Sequence, residues 1–171
     1  MAGYSNNVQV FLVRHAEAVD ETLELRDPHR HLTEQGRTQA KSLGDRLRWH
    51  DCEPTHIWTS PLVRAVQTAE LLIAGLGWTG PVESHPALSA GADVRVLAAE
   101  LKHAAPDAHV VIVGHEPGIS GLGALLTGRD DFPALKKAQC ARLDSHDDGP
   151  MELRWLFSYA DEAPFPTARP G

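Results

Sequence analysis

Two kinds of apolar pattern alternate along this chain, and they predict different elements. Val8-Gln9-Val10-Phe11-Leu12-Val13 and Val110-Val111-Ile112-Val113 are nearly continuous apolar runs rich in β-branched residues, as expected of strands covered on both faces in a parallel sheet. His56-Ile57-Trp58-Thr59 is a shorter run, and Pro81-Val82-Glu83-Ser84 is a weaker edge element. Between them the apolar residues recur at helical spacing. A first helix runs from about Thr33 to Trp49, with Thr33 as N-cap and Ala40, Leu43 and Leu47 on its stripe. A second starts with Ser60 as N-cap and Pro61 at its first position and carries Ala65, Val66, Ala69, Leu72 and Ile73. Asp93 opens a third, which stops near Pro106, and Ile119 to Leu126 form a short fourth ending at Gly128.

After that the pattern changes. Gln139 to Leu143 and Met151 to Phe157 flank the polar turn Ser145-His146-Asp147-Asp148-Gly149-Pro150 and predict a hairpin, while Asp161 to Gly171, with three prolines and no period, predict a loose tail. Strands alternating with helices imply an α/β fold: a three-layer α/β/α sandwich with a mostly parallel sheet and an antiparallel edge. Nothing in the composition marks an internal boundary, so residues 1–160 are expected to form one domain, followed by the tail 161–171.

Composition narrows the function. Hydrophobic residues make up 42% and charged residues 23% of 171, an ordinary balance for a globular protein. The net charge of −7 argues against broad nucleic-acid binding or adhesion to an anionic membrane, so any anion site must be a local concentration of positive charge. No apolar run reaches the roughly 18 residues of a membrane helix, and the opening residues lack a signal-peptide core, so the expectation is a cytoplasmic protein; a monomer is expected separately. Cys52 and Cys140 stand far apart in no CxxC pair, which predicts idle thiols and neither a disulfide framework nor a thiolate metal site.

In open α/β sheets, ligands bind beyond the carboxyl ends of the strands. The first strand runs into Arg14-His15-Ala16-Glu17, the Val110 strand into Gly114-His115-Glu116-Pro117, and the Ile57 strand into a helix whose first turn carries Arg64. Three junctions therefore deliver Arg14, His15, Arg64 and His115 to one sheet edge. Arginine forks match phosphate oxygens, and a neutral imidazole among them is a competent nucleophile toward phosphorus. The expectation is that these four side chains gather around a single tetrahedral oxyanion, with no metal or cofactor.

Val13-Arg14-His15-Ala16-Glu17 resembles the signature of the histidine phosphatase superfamily. Leu32-Thr33-Glu34-Gln35-Gly36-Arg37-Thr38-Gln39-Ala40, Thr59 to Ala69 and Val113-Gly114-His115-Glu116-Pro117 are similar to its later motifs, in the family's order. The resemblance covers roughly Val8 to Leu126. It implies a phosphoglycerate mutase-like fold, His15 as the residue phosphorylated in a covalent intermediate, and Arg14, Arg64 and His115 as the phosphate-binding core. The short link between Arg64 and His115 is similar to that of phosphohistidine phosphatases, which implies a phosphohistidine on a signalling protein as substrate. Many ester-cleaving relatives have a Leu-x-Glu acid where this chain has Leu88-Ser89-Ala90. Glu17 is the nearest replacement for that general acid and Glu116 another, and a phosphoramidate leaving group needs less help from one. A phosphatase of small phosphomonoesters, and a non-catalytic binder of phosphorylated ligands, remain alternatives.

Weaker motifs have plainer readings. A lone histidine after a strand is more often structural, and only the set of four reverses that for His15. Glu17 could equally be a solvated loop acid or an ion-pair partner. Thr33, Ser60 and Thr68 suit caps and supporting hydrogen bonds. Gly75 to Gly80 fits G-x-G-x-x-G but follows a helix and runs into Pro81, which makes it a turn. Gly118-Ile119-Ser120-Gly121-Leu122 lacks the last glycine of a serine-hydrolase elbow. Asp27-Pro28-His29-Arg30-His31 hints at a metal, but a solvated loop, or one that touches a partner protein, fits better.

Overall fold

The computed structural model describes residues 7–147 and 149–162, and the backbone of 165–166. Its elements are β1 (Gln9–Arg14), α1 (Glu34–Trp49), β2 (His56–Thr59), α2 (Val63–Leu76), β3 (Val82–Ser84), α3 (Arg95–Lys102), β4 (His109–Gly114), α4 (Gly118–Thr127), β5 (Gln139–Asp144), β6 (Glu152–Ser158) and β7 (Phe165–Pro166). Short 3₁₀ turns cover Asp27–His29 and Pro86–Leu88. The strands form one sheet in the order β3-β2-β4-β1-β5-β6-β7. β3, β2, β4 and β1 are parallel, and the C-terminal strands add an antiparallel edge.

Alternation along β1 assigns the layers, because successive side chains point to opposite faces. Val10 and Leu12 pack with Leu97 and Leu101 of α3 and with Ile119, Leu122 and Leu126 of α4. Phe11 and Val13 pack with Leu43 and Leu47 of α1 and with Ala69 and Leu72 of α2. Helices thus cover both faces, which is why β1 and β4 carry unbroken apolar runs. Each large apolar side chain buried this way contributes about 1.5–3 kcal/mol. α1 and α2 cross closely at Gly44, where a Cβ would overlap the carbonyl oxygen of Leu72.

The Thr33 hydroxyl caps α1, accepting from Gly36 N at 2.9 Å. Gly36 itself lies against the loop after β1, and a Cβ there would overlap the carbonyl oxygen of Glu17. α2 begins later than its Ser60-Pro61 signal predicts: the N-cap is Leu62, and Ser60 Oγ accepts from Leu62 N at 3.2 Å in the turn before it. α3 likewise starts at Arg95, with the Asp93 carboxylate accepting from Arg95 N, and ends at Lys102 rather than near Pro106. Within the expected tail, Phe165–Pro166 pair antiparallel with Trp155 and Leu156, since an edge strand still has donors and acceptors to satisfy. The rest of the tail, 163–164 and 167–171, lies outside the described residues.

Candidate functional site

Register brings the chemistry together. Val13 of β1 and Thr59 of β2 both lie opposite Val113 of β4, so the residues that leave the three strands emerge at one level. Backbone hydrogen bonds extend that row past the strands: His15 N donates to Gly114 O at 3.0 Å and Ser60 N donates to Val113 O at 2.9 Å. His15 and His115 consequently face each other, with ring centroids 5.1 Å apart and planes tilted by 56°. Both rings are buried, as is Arg64.

Each guanidinium is held from behind. Arg14 Nη1 donates to the carbonyl of Leu135 at 3.0 Å, in the segment that leads into β5. Arg64 projects from the first turn of α2, and its Nη1 and Nη2 donate to the Asp27 carbonyl at 2.9 Å and to Asp27 Oδ2 at 3.4 Å. Asp27 also accepts from Arg30 Nη1 at 3.0 Å, and Arg30 Nε donates to Val19 O at 2.7 Å. Asp27 and Arg30 thus anchor the Asp27–His31 segment to Arg64 and Val19, while Pro28, His29 and His31 are exposed, as the sequence suggests for a solvated loop. Burial opposes ionisation of Asp27, but the hydrogen bond from Arg30 and the charges of Arg64 and Arg30 hold its carboxyl below the usual range. Thr68 ties α2 to the loop after β1, accepting from Ala16 N at 3.0 Å and donating to Arg64 O at 2.7 Å.

Three buried nitrogens at this edge have no partner: Arg14 Nε, Arg64 Nε and His115 Nδ1. Buried polar groups are almost always paired, so three orphans on convergent side chains point to a missing polar ligand. A tetrahedral oxyanion offers enough lone pairs for all of them.

The histidines are uncharged near neutral pH. Burial drives the His15 pKa to about 3, reinforced by the charges of His115, Arg64 and Arg14. Burial and then the charge of Arg64 bring His115 to about 4, against the opposing pull of Asp27. The His15 Nδ1 lies 2.8 Å from the Ala16 carbonyl, which can only accept, so Nδ1 carries the ring proton and Nε2 keeps its lone pair. Chemically, the arrangement offers a neutral nucleophilic nitrogen beside an anion cradle.

These shifts also set acid stability. In the unfolded chain both histidines titrate near 6.5, so below that pH the unfolded state binds protons that the folded state refuses. Stability contributed by the neutral rings is fully present above about pH 6.5 and falls as pH drops toward 4, at about 1.4 kcal/mol per pH unit for each histidine. Urea midpoints compared at pH 7 and pH 5 are expected to show the fall in wild type and a shallower one in His15→Asn. Equal slopes in the two proteins would contradict the assignment.

The two carboxylates considered as acids differ in their bonding. Glu116 Oε1 and Oε2 accept from Ser120 N at 3.2 Å and from Ser120 Oγ at 2.6 Å. Glu17 is half-buried, and its Oε1 accepts from the Thr33 hydroxyl at 3.1 Å. The segment after β3, where a Leu-x-Glu acid would stand, turns through Leu88, Ser89 and Ala90 without a carboxylate. Among the described residues, no group of three or more His, Cys, Asp or Glu side chains is placed to hold a metal ion. Cys52 and Cys140 are buried free thiols, and burial pushes Cys52 up to about 12.

The sequence reading placed Asp27 and Arg30 in a loop and Ser60 in a cap or supporting hydrogen bond, but not the bond of Asp27 to Arg64 or the 2.7 Å bond between His115 Nε2 and Ser60 Oγ. The strand register could have exposed the last of these, since Ser60 follows β2 as His115 follows β4.

Comparison with known proteins adds independent findings. Residues 10–90 match the family model of the histidine phosphatase superfamily (branch 1). An uncharacterized protein of Picosynechococcus sp. is 33% identical over 168 residues, covering 87% of this chain and 99% of that protein. The phosphohistidine phosphatase SixA of Escherichia coli is 26% identical over 153 residues, covering 88% of this chain and 94% of the enzyme. A solved structure of the protein histidine phosphatase SixA complexed with tungstate superposes with a TM-score of 0.79 at 26% identity, over 88% of this chain and 97% of that one. Phosphoglycerate mutase from Plasmodium falciparum shares the fold at a TM-score of 0.67 and 19% identity, over 98% and 100% of the two chains. No helix among the described residues is long and apolar enough to cross a membrane.

Proposed function

Since the chain belongs to the histidine phosphatase superfamily and is a histidine-nucleophile phosphatase, we propose that His15 is its nucleophile and that its substrate is a phosphoramidate, the phosphohistidine of a protein. The three unpartnered buried nitrogens of Arg14, Arg64 and His115 carry this reading. They support a phosphoryl group bound with its oxygens toward the cradle and its phosphorus toward His15 Nε2. The His15 lone pair attacks phosphorus, the substrate P–N bond breaks with its electron pair passing to the ring nitrogen, and the departing ring, protonated on its other nitrogen by solvent, leaves as neutral imidazole. Arg14, Arg64 and His115 hold the equatorial oxygens while charge redistributes. Water then attacks phospho-His15, releasing inorganic phosphate and the neutral imidazole, with the water proton passing to Glu17 or to solvent.

Leaving-group chemistry supports the phosphoramidate. An imidazole departs with little assistance, whereas an alkoxide needs a proton donor worth roughly 10²–10⁴ in rate. The turn through Leu88-Ser89-Ala90 supplies no such donor, and Glu116 is occupied by Ser120. Glu17 remains, with its Oε2 free of protein hydrogen bonds among the described residues. The name of the E. coli relative, phosphohistidine phosphatase, supports this substrate class, and the tungstate held in the solved SixA structure supports an oxyanion site.

Turnover of a phosphohistidine-bearing protein should exceed that of sugar phosphates by about 10² in kcat/KM, the contribution of one well-placed acid. Clear preference for an ester would instead make this a small-molecule phosphomonoester phosphatase. Glu17→Gln is expected to slow ester hydrolysis more than phosphohistidine hydrolysis; equal losses would confine Glu17 to the water-attack step that both substrates share, and no loss on either would remove it from the proton path.

A further inference from the structure

We infer that Ser60 is a positioning residue, whose hydroxyl fixes His115 in the tautomer that carries its proton on Nδ1 and so aims a donor at the phosphoryl group. The inference rests on the reading of His115 as a phosphoryl-binding group. It starts from the hydrogen bonds open to a buried hydroxyl. Ser60 is fully buried, and its Oγ has two neighbours: Leu62 N at 3.2 Å and His115 Nε2 at 2.7 Å. The amide of Leu62 can only donate, so it takes one oxygen lone pair. The hydroxyl proton then has a single acceptor within reach, the His115 ring. If Nε2 carried the proton instead, the serine proton would be left buried and unpaired, a loss of the kind that costs about 1–3 kcal/mol. The pairing that satisfies every group has Ser60 donating to Nε2 and the proton on Nδ1.

The consequence falls on the other ring nitrogen. His115 Nδ1 is buried and partnerless. As an N–H it is a donor left for the phosphoryl group that the proposed function places beside it; as a bare lone pair it would repel the same anion. A neutral imidazole holds one proton, and so the choice between attraction and repulsion lies with Ser60, one strand away on the parallel ladder. The hydroxyl also ties the start of α2, which carries Arg64, to the same ring.

Long-range ¹H–¹⁵N spectra of the histidine-labelled protein at neutral pH test this directly. The His115 proton is expected on Nδ1 in wild type and redistributed toward Nε2 in Ser60→Ala. A wild-type spectrum with the proton on Nε2, or on both nitrogens, overturns the inference. Kinetics separate tautomer control from a merely structural role at the start of α2. Ser60→Ala should lower kcat/KM by roughly 10- to 100-fold, as is usual when a partner that orients an active-site histidine is lost. Ser60→Thr, which keeps the hydroxyl, should recover most of that loss. In a His115→Ala background Ser60→Ala should cost little more, because residues that act through one another are not additive. An undiminished loss in that background overturns the inference. Full activity in His115→Ala alone would instead sink the reading of His115, while leaving the spectroscopic answer intact.

Discussion

Replacing His15 with alanine is expected to lower turnover by about 10⁴-fold or more, the usual cost of removing a covalent nucleophile from an otherwise intact site. The cause is specific. His15 alone combines burial, a lone pair held on Nε2 by the Nδ1 bond to Ala16 O, and a position facing His115 across the cradle. The variant leaves Arg14, Arg64 and His115 in place, so inorganic phosphate should still protect the protein against thermal unfolding. Labelled substrate should leave an acid-labile, alkali-stable phosphoenzyme on wild type and none on His15→Ala. Label retained by the variant would move the nucleophile elsewhere.

Arg64→Lys is expected to cost about 10²–10³ in kcat/KM even though the charge survives, a loss comparable to removing one preorganised donor from a transition state. Arg64 uses the end of its guanidinium on Asp27 and leaves its buried Nε without a partner. A lysine ammonium is a single point and cannot hold Asp27 and an anion in that fixed geometry. Asp27 would also lose its grip on α2, while Arg30 stays bound to it. Substrate titrations on the variant should therefore show the loss in kcat as well as in KM. A variant within about fivefold of wild type, well short of that range, would mean that Arg64 only anchors the loop.

The elements and residues that announced themselves in the sequence share a physical reason. β1 and β4 are buried on both faces, so their apolar runs are nearly continuous and their ends could be located to within a residue. Thr33 caps α1 as its position before Glu34 suggests. The start of α2 was misplaced because Ser60 looks like a cap, yet its hydroxyl lies between Leu62 N and His115. Arg14, His15, Arg64 and His115 were legible because they follow strands at the edge where such sheets bind ligands. Asp27 was not, because its hold on Arg64 runs partly through a backbone carbonyl, and main-chain acceptors leave no mark in residue identity. Leu135, whose carbonyl holds Arg14, is silent for the same reason.

The bare α-carbon at position 36 carries an implication for remodelling this protein. With the Glu17 carbonyl seated where a methyl group would go, even alanine at Gly36 must push the polypeptide two residues downstream of His15. Thr33 N donates to that same carbonyl at 3.0 Å, so the displacement would travel into the cap as well. Libraries meant to broaden substrate range can vary the outward surface of α1 freely, provided that this one contact stays hydrogen-sized.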